Sequence, residues 1–202
     1  MVKPDYNREM EWRMAEIPLG SSLLLHSCCG PCSTAVLERL GERFSVTLYF
    51  YNPNIDSETE YQRRLEAQRR VAEELRVRYP VQLIAAPYDP APFAAVAEGF
   101  GAESEGGARC DRCFALRLEE TAKLAKVQGF EYFTTTLSVS PRKDAGRLNE
   151  IGAALGEAYG VPYLVADFKK KGGYQRSVEL AAALQLYRQG YCGCGFSVGA
   201  AL

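Results

Sequence analysis

Short, almost wholly apolar runs alternating with segments of helical periodicity constrain the fold of this chain more than any other feature. Residues 22–26, 46–51, 81–85, 132–137 and 162–166 each read as a strand, closed by turn residues such as Asn52-Pro53-Asn54. Residues 33–40 read as a helix that Ser33 or Thr34 could cap and Gly41 could end. Ser57 and Glu60 have the spacing of a capping box for a long helix over 57–79. Tyr61, Leu65, Val71 or Ala72, and Leu75 fall on one face of that helix. Its other face carries Arg63, Arg64, Arg69, Arg70, Arg76 and Arg78. Helical periodicity returns over 114–128, around Leu148, Ile151, Leu155 and Tyr159, and over 177–189. Strands without polar alternation are buried on both sides, so the pattern predicts an α/β domain: a parallel sheet with helices on both faces. We read 1–20 as an N-terminal extension and 21–202 as a single catalytic domain of this kind. A chain of 202 residues buries about 70% of its unfolded surface and needs no covalent staple.

Seven cysteines fall into three groups: Cys28, Cys29 and Cys32 in CCGPC, Cys110 and Cys113 in CDRC, and Cys192 and Cys194 in CGC. An odd number in a chain able to build its own core argues against a disulfide framework. Close-set thiols from distant parts of a chain suit a metal, since each pair can point at one ion while the others close the shell. In an open parallel sheet ligands sit beyond the carboxyl ends of the strands, and CCGPC directly follows the first strand. A four-sulfur zinc site is one possibility, although seven thiols exceed what one zinc takes. Cys29-Gly30-Pro31-Cys32 after a strand also resembles a thiol–disulfide oxidoreductase motif, but that reading leaves five cysteines without a role. An ATP-using enzyme needs a phosphate loop after the first strand. Ser-Cys-Cys-Gly-Pro-Cys stands there instead, and Gly106-Gly107 and Gly172-Gly173 are too isolated to cradle phosphates.

The sequences HSCCGPC, YNPNI with a downstream Tyr-Gln-Arg-Arg, RCDRCFALRLEETA, TTTLSVSP, and KKKGGYQRS leading to YCGCGFS occur in order over 23–197. Together they resemble the cobalamin-independent epoxyqueuosine reductases, the QueH family. The resemblance implies a HUP-type, Rossmann-like α/β domain that reduces epoxyqueuosine to queuosine at the wobble position of tRNA. It further implies a 4Fe–4S cluster beside a second mononuclear metal, iron. Four thiolates for a cluster leave three for an ion. Within that resemblance, Cys32 stands where some family members carry aspartate, which changes the implied ion's donor there from oxygen to sulfur. Sequence does not partition the seven. The working assignment gives Cys29, Cys110, Cys113 and one of Cys192 and Cys194 (taken as Cys192) to the cluster, and Cys28, Cys32 and the other (Cys194) to the ion.

Deoxygenation of an epoxide to an alkene consumes two electrons and two protons. Asp111, Tyr174, Tyr191 and His26 are the candidate proton donors; Asp111 could equally cap its helix, and His26 could be a satisfied core imidazole. The chain has no electron-donor motif of its own, so a ferredoxin- or flavodoxin-like partner is implied. With 24 Lys and Arg against 25 Asp and Glu, a uniformly basic nucleic-acid coat is excluded. RNA contact must therefore be local, at Arg142-Lys143, at Lys169–Lys171 or on the arginine face of the long helix. Tyr51 and Tyr174 are candidates for stacking a splayed base. The Thr134–Ser138 stretch either lines the pocket or satisfies local backbone. No apolar run reaches the ~18–20 residues that span a bilayer, and the polar N-terminus lacks a signal-peptide core, so a cytoplasmic protein without membrane contact is expected.

Overall fold

A computed structural model describes residues 4–76 and 81–197. Four strands, β1 (Ser21–His26), β2 (Phe44–Phe50), β3 (Val81–Ala85) and β4 (Tyr132–Thr135), form one sheet in the order β3-β2-β1-β4. Every pairing is parallel, with Leu25 opposite Leu48 and Thr134. The expected parallel α/β sheet is therefore present. Residues 162–166 are the exception: Tyr163 makes only a single bridge to Phe133. Pro162 removes one backbone donor there, and the Asn149 side chain takes over pairing at Ala166.

The period-two pleat sends Leu23 and Leu25 to one face and Leu24 to the other. The first face packs against α1 (Tyr6–Glu16), α2 (Gly30–Leu40) and α3 (Glu58–Arg76) through Met10, Val36, Leu37 and Val71. The second packs against α5 (Ala108–Gln128) and α6 (Ala145–Tyr159) through Phe114, Leu118 and Leu148. Each such side chain removed from water contributes roughly 1.5–3 kcal/mol. Two helices complete the chain, α4 (Ala91–Ala97) and α7 (Gly173–Ala183). The residues before Ser21 hold α1, whose Met10 joins the core and whose Asn7 accepts a hydrogen bond from Arg39 at 2.7 Å.

Several boundaries differ from the sequence reading. Helix α2 begins at Gly30, with the Cys29 sulfur accepting from the Cys32 N–H as its N-cap, so neither Ser33 nor Thr34 caps it. Helix α5 begins at Ala108 and takes Cys110 and Cys113 into its first turns. Of the expected basic face of α3, Arg63, Arg69 and Arg70 are exposed. Arg64 is buried at 2% exposure and points inward. Arg78, Tyr79 and the side chain of Arg76 lie outside the described residues.

Helices α2 and α3 meet at Gly30, where an added Cβ would stand 2.6 Å from the Ala67 carbonyl oxygen. Backbone cannot swing aside as a side-chain tip can. Gly30→Ala is expected to push the helices apart and cost about 1–3 kcal/mol, read as a lowered urea midpoint.

Candidate metal centre

Strands β1, β2 and β4 all end at the same edge of the sheet, and the chemistry collects there. Directly after β1, Cys28 and Cys29 are followed within one turn by Cys32, and the three sulfurs lie within 4.8 Å of one another. The Cys29 and Cys32 sulfurs are 2.8 Å apart, and those of Cys28 and Cys29 3.9 Å. After β4 the chain tightens into a 3-10 turn over Thr136–Val139. Its Thr136 hydroxyl accepts from the Cys28 N–H at 3.2 Å and donates to the Cys28 sulfur at 3.4 Å. Thus part of the Thr134–Ser138 stretch orients a thiol. Thr134 instead donates to the Leu164 carbonyl.

The three sulfurs share their protons. Hydrogen bonds from the Cys29 and Cys32 thiols hold Cys28 well below the usual thiol range. The charge so held at Cys28 pushes Cys29 up to about 12 and raises Cys32 as well. A crowded trio with one favoured thiolate suits a thiophilic cation that displaces the remaining protons.

The other four cysteines form a second neighbourhood. Cys110 and Cys113 stand one turn apart on α5, and Cys113 packs with Cys194 against Phe93 and Ala97. The Cys194 thiol donates to the Cys192 sulfur, which that bond and the charges of Lys143 and Arg117 hold down to about 5. Cys113 is pushed up to about 11 and Cys110 raised, both chiefly by burial. The working partition set Cys29 with the cluster ligands and Cys194 with the ion. The geometry groups Cys29 with Cys28 and Cys32, and packs Cys194 with Cys113. Cys28, Cys29 and Cys32 are bound together by a single turn of chain leaving β1, whereas Cys194 follows its CGC neighbour toward α5.

The CGC tail is held from several sides. Arg64 donates from Nε to Glu60 at 2.7 Å and from Nη1 to the Cys192 carbonyl at 3.1 Å, and its guanidinium lies 5.1 Å from the Tyr191 ring centre. Glu60 also accepts from the Tyr187 hydroxyl at 2.9 Å. The Asp56 N–H donates to the Gly193 carbonyl at 2.9 Å. Gly193 has φ of +116°, and a Cβ there would meet Arg64 Nη1 at 2.9 Å, so the glycine of CGC is required twice over.

A cavity of about 410 Å³ opens over both sulfur groups. Cys28, Cys29, Cys32 and Cys192 line it, together with buried Arg117, half-buried Lys143, and exposed Tyr174 and Arg188. Of the expected proton donors, Tyr174 and Tyr191 reach the cavity. Arg188 donates to the Tyr174 hydroxyl at 2.9 Å, and Tyr191 donates to Asp56 at 2.9 Å. Burial and that Asp56 contact push the Tyr191 phenol up to about 12. Asp111 is not brought in: it faces Arg147 at 2.7 Å on the outside of α5. Tyr51 stacks on Tyr49 with ring centres 5.8 Å apart, away from the cavity lining. In the Lys169–Lys171 loop, Lys169 pairs with Asp167 and Lys171 with Glu11.

Three participants escaped the sequence reading. Arg64 looked like one of many surface arginines, Arg117 sits in an ordinary amphipathic helix, and Lys143 was read only as a phosphate contact. Lys143 is half-buried; burial opposes its charge, but the Cys192, Cys28 and Cys32 sulfurs outweigh that and raise its pKa. No local signal marks an inward-facing arginine.

His26 is fully buried. Its Nε2 lies 3.3 Å from Arg117 Nε and 3.2 Å from the Tyr51 carbonyl, and its Nδ1 2.8 Å from the Thr135 hydroxyl. Burial and the Arg117 charge lower its pKa from 6.5 to about 3. An unfolded imidazole takes a proton near 6.5 while the folded one refuses it, so stability falls as pH drops from 6.5 toward 3. Because His26 is the chain's single histidine, its ring nitrogens give one clean pair of NMR signals. These are expected to keep the neutral form down to at least pH 5, and a midpoint near 6.5 would refute the burial-driven shift.

The fold and the site define a class, a Rossmann-like α/β protein with a group of three thiols able to hold a metal at the carboxyl edge of its sheet. Comparison with known proteins specifies which. The chain matches the family described as Epoxyqueuosine reductase QueH over residues 23–200. It is 42% identical to Epoxyqueuosine reductase QueH of Staphylococcus epidermidis over 179 residues, covering 87% of this chain and 75% of the relative. The protein of the same name from Haemophilus influenzae is 38% identical over 200 residues, covering 98% and 80%. That from Thermotoga maritima is 37% identical over 179 residues, covering 88% and 90%. The chain belongs to the epoxyqueuosine reductase QueH family. Among the described residues, no helix is long and apolar enough to cross a membrane.

Proposed function

We propose that this protein is an oxidoreductase of tRNA modification that reduces epoxyqueuosine to queuosine at the wobble position. The observation that carries the reading is the trio of Cys28, Cys29 and Cys32, opening with Cys192 onto one cavity, in a chain matched by that family over 23–200. Cys110, Cys113, Cys192 and Cys194 would hold a 4Fe–4S cluster, and Cys28, Cys29 and Cys32 a single iron. When bound, the cluster supplies electrons one at a time and the iron supplies a Lewis acid for the epoxide oxygen.

The protein's own groups do the rest. The reaction takes in two electrons and two protons, breaks both epoxide C–O bonds, and gives an alkene and water. Lys143 keeps its ammonium charged beside the sulfurs, so its field favours the alkoxide that develops as the first C–O bond breaks. Tyr174, exposed in the cavity lining, is placed to stack on the splayed base and to hold a proton at Oη, and Tyr191 holds a second. Arg188 and Lys143 offer positive charge to flanking phosphates. A ferredoxin- or flavodoxin-like carrier would deliver the electrons, and the family's setting in tRNA modification supports a cytoplasmic location.

Anaerobic protein should carry iron and acid-labile sulfide with a broad absorbance near ~400 nm. It should convert epoxyqueuosine in tRNA to queuosine with a one-electron reductant, as read by nucleoside mass spectrometry. Stoichiometric zinc without sulfide, or unchanged nucleoside, would overturn the reading. As the smaller companion result, Tyr174→Ala is expected to raise KM for tRNA about 10-fold or more, since base stacking is worth roughly 1–3 kcal/mol, while Tyr174→Phe keeps most of it.

A further inference from the structure

Arg117 is 2% exposed, and a guanidinium taken from water costs several kcal/mol unless an anion compensates it. Arg64 meets that need with Glu60. Arg117 does not: Nε donates to His26 at 3.3 Å, Nη2 donates to the Asn52 side-chain oxygen, and Nη1 reaches the Cys113 sulfur at 4.0 Å. None of these partners is a carboxylate, and among the described residues Arg117 makes no ion pair with one. Its fork is nevertheless rigidly aimed. Asn52 is fixed by donating to the Ser27 carbonyl at 2.9 Å, and His26 by the Thr135 hydroxyl. The ends of three strands thus present one buried positive charge to the sulfurs, on a side chain that lines the cavity with Cys28, Cys29, Cys32 and Cys192.

We propose that Arg117 is the built-in counter-charge of the sulfur centre at Cys110, Cys113, Cys192 and Cys194, a positioning residue that raises the centre's reduction potential and slows loss of its iron. The proposal rests on the reading that these four thiols hold an iron–sulfur cluster. Reduction adds one negative charge to the sulfurs, with no bond made or broken. An N–H aimed at a ligand sulfur, and a fixed cation beside it, both favour the more negative state. A carboxylate partner would cancel that field. Its absence leaves the charge available to the sulfurs.

Holoprotein reconstituted anaerobically as wild type, Arg117→Lys and Arg117→Gln tests this by redox titration followed in the visible, and by the rate of iron release to a chelator. Circular dichroism establishes that each is folded. Arg117→Gln is expected to shift the one-electron reduction equilibrium at least tenfold toward the oxidised form, about 59 mV, and to release iron about 10-fold faster or more. Arg117→Lys, which keeps charge but loses the fork, should fall between it and wild type, and it carries the test alone if the glutamine variant does not fold. Folded, loaded variants with the wild-type potential and release rate would overturn the proposal. Wild-type protein that binds zinc and no sulfide would instead defeat the cluster reading itself, so the two failures are separate readouts.

Discussion

Cys113→Ser should strip the protein of acid-labile sulfide and of its absorbance near ~400 nm, whereas Cys32→Ser should keep both and lose only part of the iron. The contrast follows from where the sulfurs stand. Cys113 is buried in one cluster with Cys194, Phe93 and Ala97, apart from the trio. Cys32 stands 2.8 Å from Cys29 at the start of α2. On the proposed partition, a serine at position 113 removes one of the cluster's four ligands. A serine at position 32 leaves Cys28 and Cys29 in place and only weakens a three-sulfur site. Both variants should lose turnover: Cys113→Ser removes the electron source, and Cys32→Ser weakens a Lewis acid worth several kcal/mol at the transition state, where each 1.36 kcal/mol is tenfold in rate. We expect about a 10³-fold loss in each. Iron and sulfide analysis on the two proteins separates the sets. Sulfide retained in Cys113→Ser and lost in Cys32→Ser would reverse our partition.

Arg64→Met should destabilise the metal-free protein by about 3–5 kcal/mol, the range for removing one partner of a buried pair. The guanidinium is 2% exposed and Glu60 11%, so the carboxylate left behind keeps, among the described residues, the Tyr187 hydroxyl at 2.9 Å. The Cys192 carbonyl loses its donor at the same time, and the tail bearing Cys192 and Cys194 is released from α3. Urea denaturation gives the stability loss from the midpoint at unchanged slope. Adding Glu60→Gln should restore part of it, since the uncompensated charge is then gone. A loss under about 1 kcal/mol would show that Arg64 is a surface pair after all, and that the tail is held by Gly193 and Asp56 alone.

The two predictions divide along the line between what can and cannot be read from residues in order. Parallel α/β topology was legible because Leu23, Leu24 and Leu25 in succession fit only a strand buried on both faces. The location of CCGPC followed from the same strand, since whatever leaves its carboxyl end lies at the site edge. Helix starts were less legible. A cysteine caps α2 where serine or threonine is the usual signal, and the short run around Tyr163 looked like a strand because burial, not pairing, made it apolar.

The sequence by itself determined a parallel α/β sheet with CCGPC leaving the carboxyl end of its first strand, because local periodicity and spacing are properties of adjacent residues. Only the tertiary structure decided which sulfurs stand together, that Arg64 and Arg117 point inward, that Asp111 faces away, and that His26 is locked neutral. Those outcomes depend on contacts between residues such as 64 and 192 or 117 and 26. Such contacts arise from helix rotation and burial against the sheet, and neighbours along the chain carry no trace of them.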